Sequence, residues 1–286
     1  MGDMSMNQLQ TREQTKPKFS LAIQSEGYKK LINNTLGDPK RASKFIASIS
    51  SAVATNQQLQ LCDAGSILSG ALLGEALNLS PSPQLGQYYL VPFNDKAKGK
   101  VAQFQLGYRG YLQLAIRSGQ YKDIDVIEIR EGEYLGRDKL TGKHKFDFIE
   151  DEVERENKPI IGYLAYFEYL NGFYKSLYWT KEKMKNHAIQ YSQAYARDIK
   201  QKSNYSFWTK DFDGMAFKTM LRQLISKWGV MSTEMQEAFV KDQAVINTDN
   251  TYDYVDTQDV NLEPIADAEI EEEHQEEVKK VNLNEI

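Results

Sequence analysis

Three stretches of this chain carry cations and rings at spacings that suit phosphate and base chemistry. The first is Lys96, Lys98 and Lys100, alternating through a charged turn between two strand-like runs. The second is Gln103-Phe104-Gln105-Leu106-Gly107-Tyr108-Arg109-Gly110-Tyr111. Strand alternation puts the Gln103 and Gln105 amides on one face, and Arg109 follows at a strand-to-helix junction, where free backbone amides also favour an anion. Gly107 and Gly110 permit close backbone approach by a partner or another chain. The third is the basic stretch with Lys200, Lys202 and Lys210, interleaved with Tyr205, Phe207 and Trp208, leading into Lys218 and Arg222 four residues apart on one helix side. Like charges at that spacing repel, and a bound phosphate would relieve them. Cations for phosphates and rings for bases are what sequence-independent single-strand binding needs. For each stretch an ordinary reading stands beside this one: a solvated turn, rings in the core with Arg109 in a surface ion pair, an amphipathic helix with a polar rim.

Other chemistry finds little support. Gly65-Ser66-Ile67-Leu68-Ser69-Gly70 resembles the start of a phosphate loop, but Ala71-Leu72 follow where Lys and a hydroxyl are needed; it reads as a helix with small packing residues. Asp211 and Asp213 are a possible metal pair, more simply read as complements to the positive end of a helix. Single Cys62 sits in an apolar stretch and suits a small buried residue, and the three His are scattered. No enzyme, cofactor or metal site is expected. With no apolar run of about 18 residues and a polar start without a signal-peptide core, no membrane association is expected and the location is expected to be the cytoplasm.

The elements that must position these residues follow from periodicity. Helices are predicted over 21–36, 40–61, 64–78, 107–118, about 181–197, 210–228 and 232–243. Strands are predicted over 87–93, 101–106, 126–129, 144–149, 160–169 and 173–179, with hairpin turns at 95–100 and at Asn171-Gly172. On the 210–228 helix, Phe217, Met220, Leu221, Leu224 and Trp228 form the core face. The order helices, antiparallel sheet, helices is that of an α+β domain. Charge divides the 286-residue chain. Residues 241–286 hold three Lys and fourteen Asp or Glu, a net of −11, leaving 32 cations against 26 acids before them. The expected organisation is a flexible N-terminus (1–20), a core (21–245) and an acidic disordered tail (246–286), the tail serving solubility, competition with an anion, or partner recruitment.

At Pro83 to Phe93, Val101 to Tyr111, Arg117-Ser118-Gly119, Trp208 and Met215-Ala216-Phe217-Lys218-Thr219, the chain resembles the RecT family of phage single-strand annealing proteins, in the right order over about residues 20–240. The resemblance implies binding of single-stranded DNA and of annealed duplex, homo-oligomeric rings or helical filaments, and annealing without nucleotide hydrolysis. It implies a phage exonuclease as partner, and the acidic tail could recruit that exonuclease or a host single-strand-binding protein. It implies a hairpin-containing antiparallel sheet packed on a long helix, as in phage and eukaryotic annealing proteins, with DNA in a basic groove between hairpin and helices. The candidate DNA-binding residues are then Lys96, Lys98, Lys100, Gln103, Gln105, Tyr108, Arg109, Tyr111, Arg117, Lys200, Lys210, Lys218 and Arg222. The rivals are a structural oligomer and a metal-dependent nuclease using Asp211 and Asp213.

Overall fold

The computed structural model describes residues 19–95 and 97–249 and the backbone of Tyr252–Tyr254. Lys96, the N-terminal segment before residue 19 and the tail beyond 254 lie outside the described residues. The chain opens with helices α1 (Phe19–Ala22), α2 (Glu26–Leu36), α3 (Pro39–Ala54) and α4 (Ala64–Ala76). Asp38 caps α3 through the Lys40 amide, with Pro39 in the first turn. Phe45, Ile49 and Val53 of α3 enclose an N-terminal core with Ile32, Ile67 and Leu68. The phosphate-loop look-alike is the interior of α4, where Gly65 to Ala71 are all buried. Its glycines serve packing, since a side chain on Gly74 would overlap the buried Tyr88 ring.

The hairpin forms as expected. Strand β1 (Tyr88–Asp95) pairs antiparallel with β2 (Gly99–Leu106), from Tyr88 opposite Leu106 to Asp95 opposite Gly99. The turn closes because the Asp95 carboxylate accepts the Ala97 and Lys98 amides and Gly99 adopts φ 77°. Pro92 is tolerated because β1 is an edge strand. Helix α5 (Tyr108–Arg117) leads to β3 (Tyr121–Arg130), a small hairpin β4 (Tyr134–Arg137) and β5 (His144–Phe146), and α6 (Glu152–Asn157). Then come β6 (Ile160–Tyr169), β7 (Tyr174–Thr180), α7 (Lys181–Tyr191), α8 (Gln193–Gln201), α9 (Phe207–Lys210), the long α10 (Phe212–Trp228) and α11 (Thr233–Lys241). Strands β8 (Ala244–Ile246) and β9 (Tyr252–Tyr254) return to the hairpin, giving one sheet in the order β1-β2-β8-β9 and another in the order β3-β6-β7.

The fold class is the predicted α+β, with two main sheets, the β4-β5 hairpin forming a third of two strands, and α10 packed on β3, β6 and β7. Some boundaries differ. The helix predicted over 181–197 breaks at Ser192, whose hydroxyl caps α8. The sheet also continues past residue 245, through two short strands that periodicity does not mark.

The principal correction concerns the cations of α10. Lys218, placed by periodicity on an open helix edge, is 5% exposed. Its ammonium lies 3.0 Å from Asp242, at the end of α11, and the Arg222 guanidinium reaches the other Asp242 oxygen at 2.7 Å. Tyr111, fully buried, donates its hydroxyl to the same carboxylate, and the Leu106 amide donates as well. Burial pulls the Lys218 ammonium below its ordinary value. Burial would raise the Asp242 carboxyl, but Lys218 and Arg222 hold it below the ordinary carboxylate range. Gln103 is likewise internal, donating to the Gln243 carbonyl, and Gln105 donates to Gln103. The two amides do share a face, but the returning chain at Gln243 covers it.

Asp242→Asn should cost about 3–5 kcal/mol in urea unfolding, because two cations lose their buried counter-charge. Lys218→Ala should lower the unfolding midpoint, not the salt dependence of nucleic-acid binding. Asp242 and Glu133, whose burial is outweighed by its bonds from Arg155 and the Arg130 amide, both titrate below their ordinary values. Their contribution is present above about pH 4, the unfolded carboxylate range, and is lost as pH falls through the depressed folded values. Acid titration of the urea midpoint should show this loss, and Asp242→Asn should blunt it.

Candidate nucleic-acid interface

The exposed cations gather where β1, the start of α5 and α9 meet. In β1, Tyr88 points into the core and Tyr89, the next residue, points out. Gly107 passes its amide to the Gln87 carbonyl at 2.9 Å, drawing the start of α5 against residues 86–87. A Cβ on Gly107 would overlap the Gly86 carbonyl and one on Gly110 the Gln87 carbonyl. The close approach these glycines allow is therefore made within the chain. It sets Arg109 on the surface, where its guanidinium bonds the Tyr108 hydroxyl at 3.1 Å and the Gln84 carbonyl at 3.3 Å. The bond that Arg109 donates to the Tyr108 hydroxyl raises the pKa of the guanidinium above its ordinary value.

Tyr89 lies 6.0 Å, ring to ring, from Phe207 of α9, and the Lys210 ammonium sits 6.0 Å over the other end of that contact, on the Phe207 ring. Tyr108 packs edge-on to Phe217 of α10 at 5.5 Å. Neither Arg109 nor Lys210 has a carboxylate partner among the described residues. The patch thus offers two cations outside any ion pair, the half-buried rings of Tyr89 and Tyr108 and the exposed ring of Phe207, with the Asp211 carboxylate nearby and Tyr205, 82% exposed, on the adjoining loop.

One buried acid shapes that loop. Asp198 of α8 accepts from the Ser203 hydroxyl at 2.6 Å, the Tyr205 and Ser206 amides at 3.0 and 2.7 Å and the Thr209 hydroxyl at 2.7 Å. The Ser203 bond is the leading cause that holds its carboxyl well below the ordinary range. Tyr89 and Asp198 were missed from sequence. Tyr89 was legible from the alternation of β1; nothing in residues 198–209 announces that four groups converge on one aspartate.

The remaining candidates fall elsewhere. Lys98 bonds Asn247 and Lys100 bonds Gln58 at the hairpin turn, about 20 Å along the strands from Arg109. Arg117 bonds the Leu77 and Asn78 carbonyls and so closes the end of α4. Lys200 is exposed near the end of α8. Trp208 is buried against Tyr195 and Phe212. Of the possible metal pair, Asp211 caps α10 at the Gly214 amide and Asp213 accepts the Tyr163 hydroxyl. No group of three or more potential metal ligands occurs among the described residues, and no helix among them is long and apolar enough to cross a membrane.

Comparison with known proteins adds a family. The chain is 42% identical over 231 residues to an uncharacterized protein, YqaK, of Bacillus subtilis (strain 168), covering 80% of this chain and 72% of the relative. It is 29% identical over 191 residues to protein RecT of Escherichia coli (strain K12), covering 64% of each. The family model for RecT matches residues 43–257, a span that takes in both sheets, the Asp242 cluster and the whole exposed patch. The chain belongs to the RecT family, and with it to the single-strand annealing proteins of DNA recombination.

Proposed function

We propose that this protein binds single-stranded DNA by its backbone, assembles on it as a homo-oligomeric ring or filament, and anneals complementary strands without ATP. The observation that carries the reading is the patch of Arg109 and Lys210 set among Tyr89, Tyr108 and Phe207, neither cation being held in an ion pair among the described residues. Arg109 and Lys210 hold phosphates, and Lys200 extends the path. Tyr89, Phe207 and Tyr205 support bases from one side and leave pairing edges open to a second strand. Selection then lies in Watson–Crick pairing, which favours the product by roughly 1.4 kcal/mol per base-pair step. No nucleotide hydrolysis and no catalytic residue is needed for a downhill reaction of this kind. A phage exonuclease that exposes the strand and a host single-strand-binding protein are the proposed partners, in the host cytoplasm. Lys218, Tyr111 and Gln103 have no place in this contact set, because their polar groups are spent inside the fold.

Mixing the protein with complementary oligonucleotides in the absence of ATP should accelerate pairing, seen as fluorescence quenching, with the effect fading as salt rises. Arg109→Ala or Lys210→Ala should weaken binding of all sequences alike and flatten the salt dependence by about 0.7 per lost contact. Phe207→Ala or Tyr205→Ala should cost about 1–3 kcal/mol per unstacked base and leave that slope unchanged. Asp198→Ala should act like loss of the rings, since it releases the loop that presents them while every cation remains.

A further inference from the structure

The two main sheets end in four edge strands, β1, β9, β3 and β7. An edge presents backbone amides and carbonyls to any chain that can pair with it. On β3 side chains answer those groups. The Asp125 carboxylate takes the Val126 amide, Glu133 takes the Arg130 amide, and Arg155 donates to the Glu128 carbonyl. Strand β9 spans only three residues. Strand β7 differs. Bonded and non-bonded pairs alternate along an antiparallel ladder, and the bond from the Tyr169 amide to the Phe173 carbonyl fixes the phase. Tyr174, Ser176 and Tyr178 therefore turn their amides and carbonyls away from β6, and none of these groups is bonded among the described residues. No residue of β7 is fully buried.

Strand β1 is a second open edge of matching length. The bond from the Gly107 amide to the Gln87 carbonyl fixes its phase, so the backbone groups of Tyr88, Leu90, Pro92 and Asn94 face outward. Their carbonyls, and the amides of Tyr88, Leu90 and Asn94, take no bond among the described residues. Residues 88–94 and 174–180 each span about 20 Å. Laid antiparallel over their full length, they set Leu90 opposite Tyr178, Pro92 opposite Ser176 and Asn94 opposite Tyr174. The half-buried residues between them then meet as Val91 with Leu177 and Phe93 with Lys175, an apolar pair and a cation beside a ring. The same direction brings the turn end of β1, which carries Lys98 and Lys100, to the end of β7 where Asp123, Asp125 and Glu168 share one sheet face.

We propose that β7 of one copy takes β1 of a second copy as its next strand, so that a sheet continues across the boundary between subunits. The two edges differ, so the contact is heterologous. Each copy offers its β1 to one neighbour and its β7 to another, and repetition gives a ring or an open helix. The proposal rests on the homo-oligomer reading above and names the surface that makes the oligomer. The Arg109–Lys210 patch begins beside β1, where Tyr89 meets Phe207. Each added subunit thus brings its own patch to the seam and lengthens the path for the bound strand.

Two kinds of variant test this in the full chain, assembled on complementary oligonucleotides added in sequence. Ser176→Pro removes the central outward amide of β7 and no bond to β6. Asn94→Cys and Tyr174→Cys put thiols at two exposed positions that the pairing sets opposite each other, and the natural thiol, Cys62, is buried. Ser176→Pro should keep the parental thermal midpoint, lose the large complex in light scattering, and anneal at close to the protein-free rate. Mild oxidation of a mixture of the two cysteine variants should give a disulfide-linked pair. That pair should be absent from either variant alone and from a mixture in which Leu140→Cys, 95% exposed, replaces Tyr174→Cys. Parental assembly by Ser176→Pro would overturn the proposal, as would cross-linking no greater than in the Leu140→Cys mixture. Cross-linking of Asn94→Cys with itself would mean that β1 pairs with β1, which also overturns it. Should Ser176→Pro fail to fold, the cysteine mixture decides alone. A parent that stays monomeric on DNA refutes the homo-oligomer reading itself, and this pairing with it.

Discussion

Both oxygens of Asp242 are committed, one to Lys218 and the Leu106 amide, the other to Arg222 and the Tyr111 hydroxyl. Four elements meet at that carboxylate: the end of the hairpin, the first helix after it, the long helix and the end of the last helix. Tyr111 and Arg222 are further tied through Phe239, which packs edge-on to the tyrosine at 4.9 Å and lies under the guanidinium at 5.5 Å. Desolvating three ions is costly, and an apolar replacement of the same shape can be as stable. What the arrangement supplies is direction. A carboxylate with four donors fixes where α11 ends and hence where β8 begins, and β8 is the strand that covers β2.

The surface follows from that frame. Because α5 is anchored at Tyr111, its first turn is held in place and Arg109, half a turn earlier, faces outward. Because α10 is anchored at Lys218 and Arg222, its capped start holds α9, and with it Phe207 and Lys210, against Tyr89. The cations of this chain thus divide by burial into two kinds with opposite duties. Those within the fold are neutralised and locate elements. Among those outside it, some pair with surface carboxylates, as Arg41 does with Glu75 and Lys122 with Glu168, while Arg109 and Lys210 stand in no ion pair among the described residues and are the ones proposed to meet phosphates.

Much of this was legible in the residues. The hairpin, the 160–169 strand, the Asn171-Gly172 turn and the helix ending at Trp228 follow from alternation, helical period and turn chemistry. The duties of Lys218 and Arg222 were not. Helical spacing places them correctly on one side of α10, but it cannot say that α5 and α11 cover that side. Asp242 was hidden for a related reason: counted with the acids that follow it, it reads as the beginning of a tail and not as the counter-ion of the core. Gln103 and Gln105 repeat the lesson, since alternation gives their common face and only the three-stranded contact of β2 with the returning chain says what lies over it. Charge composition describes how many ions a chain has; long-range contacts decide which of them remain available.

The division between structural and DNA-contacting residues is tested most directly by photo-crosslinking oligo(dT) to the protein and mapping the modified residues by mass spectrometry. The account predicts adducts at Tyr89, Phe207 and Tyr205, and none at Tyr111 or Trp208. Adducts concentrated at Tyr111 and Trp208, with the exposed rings unmodified, would contradict it.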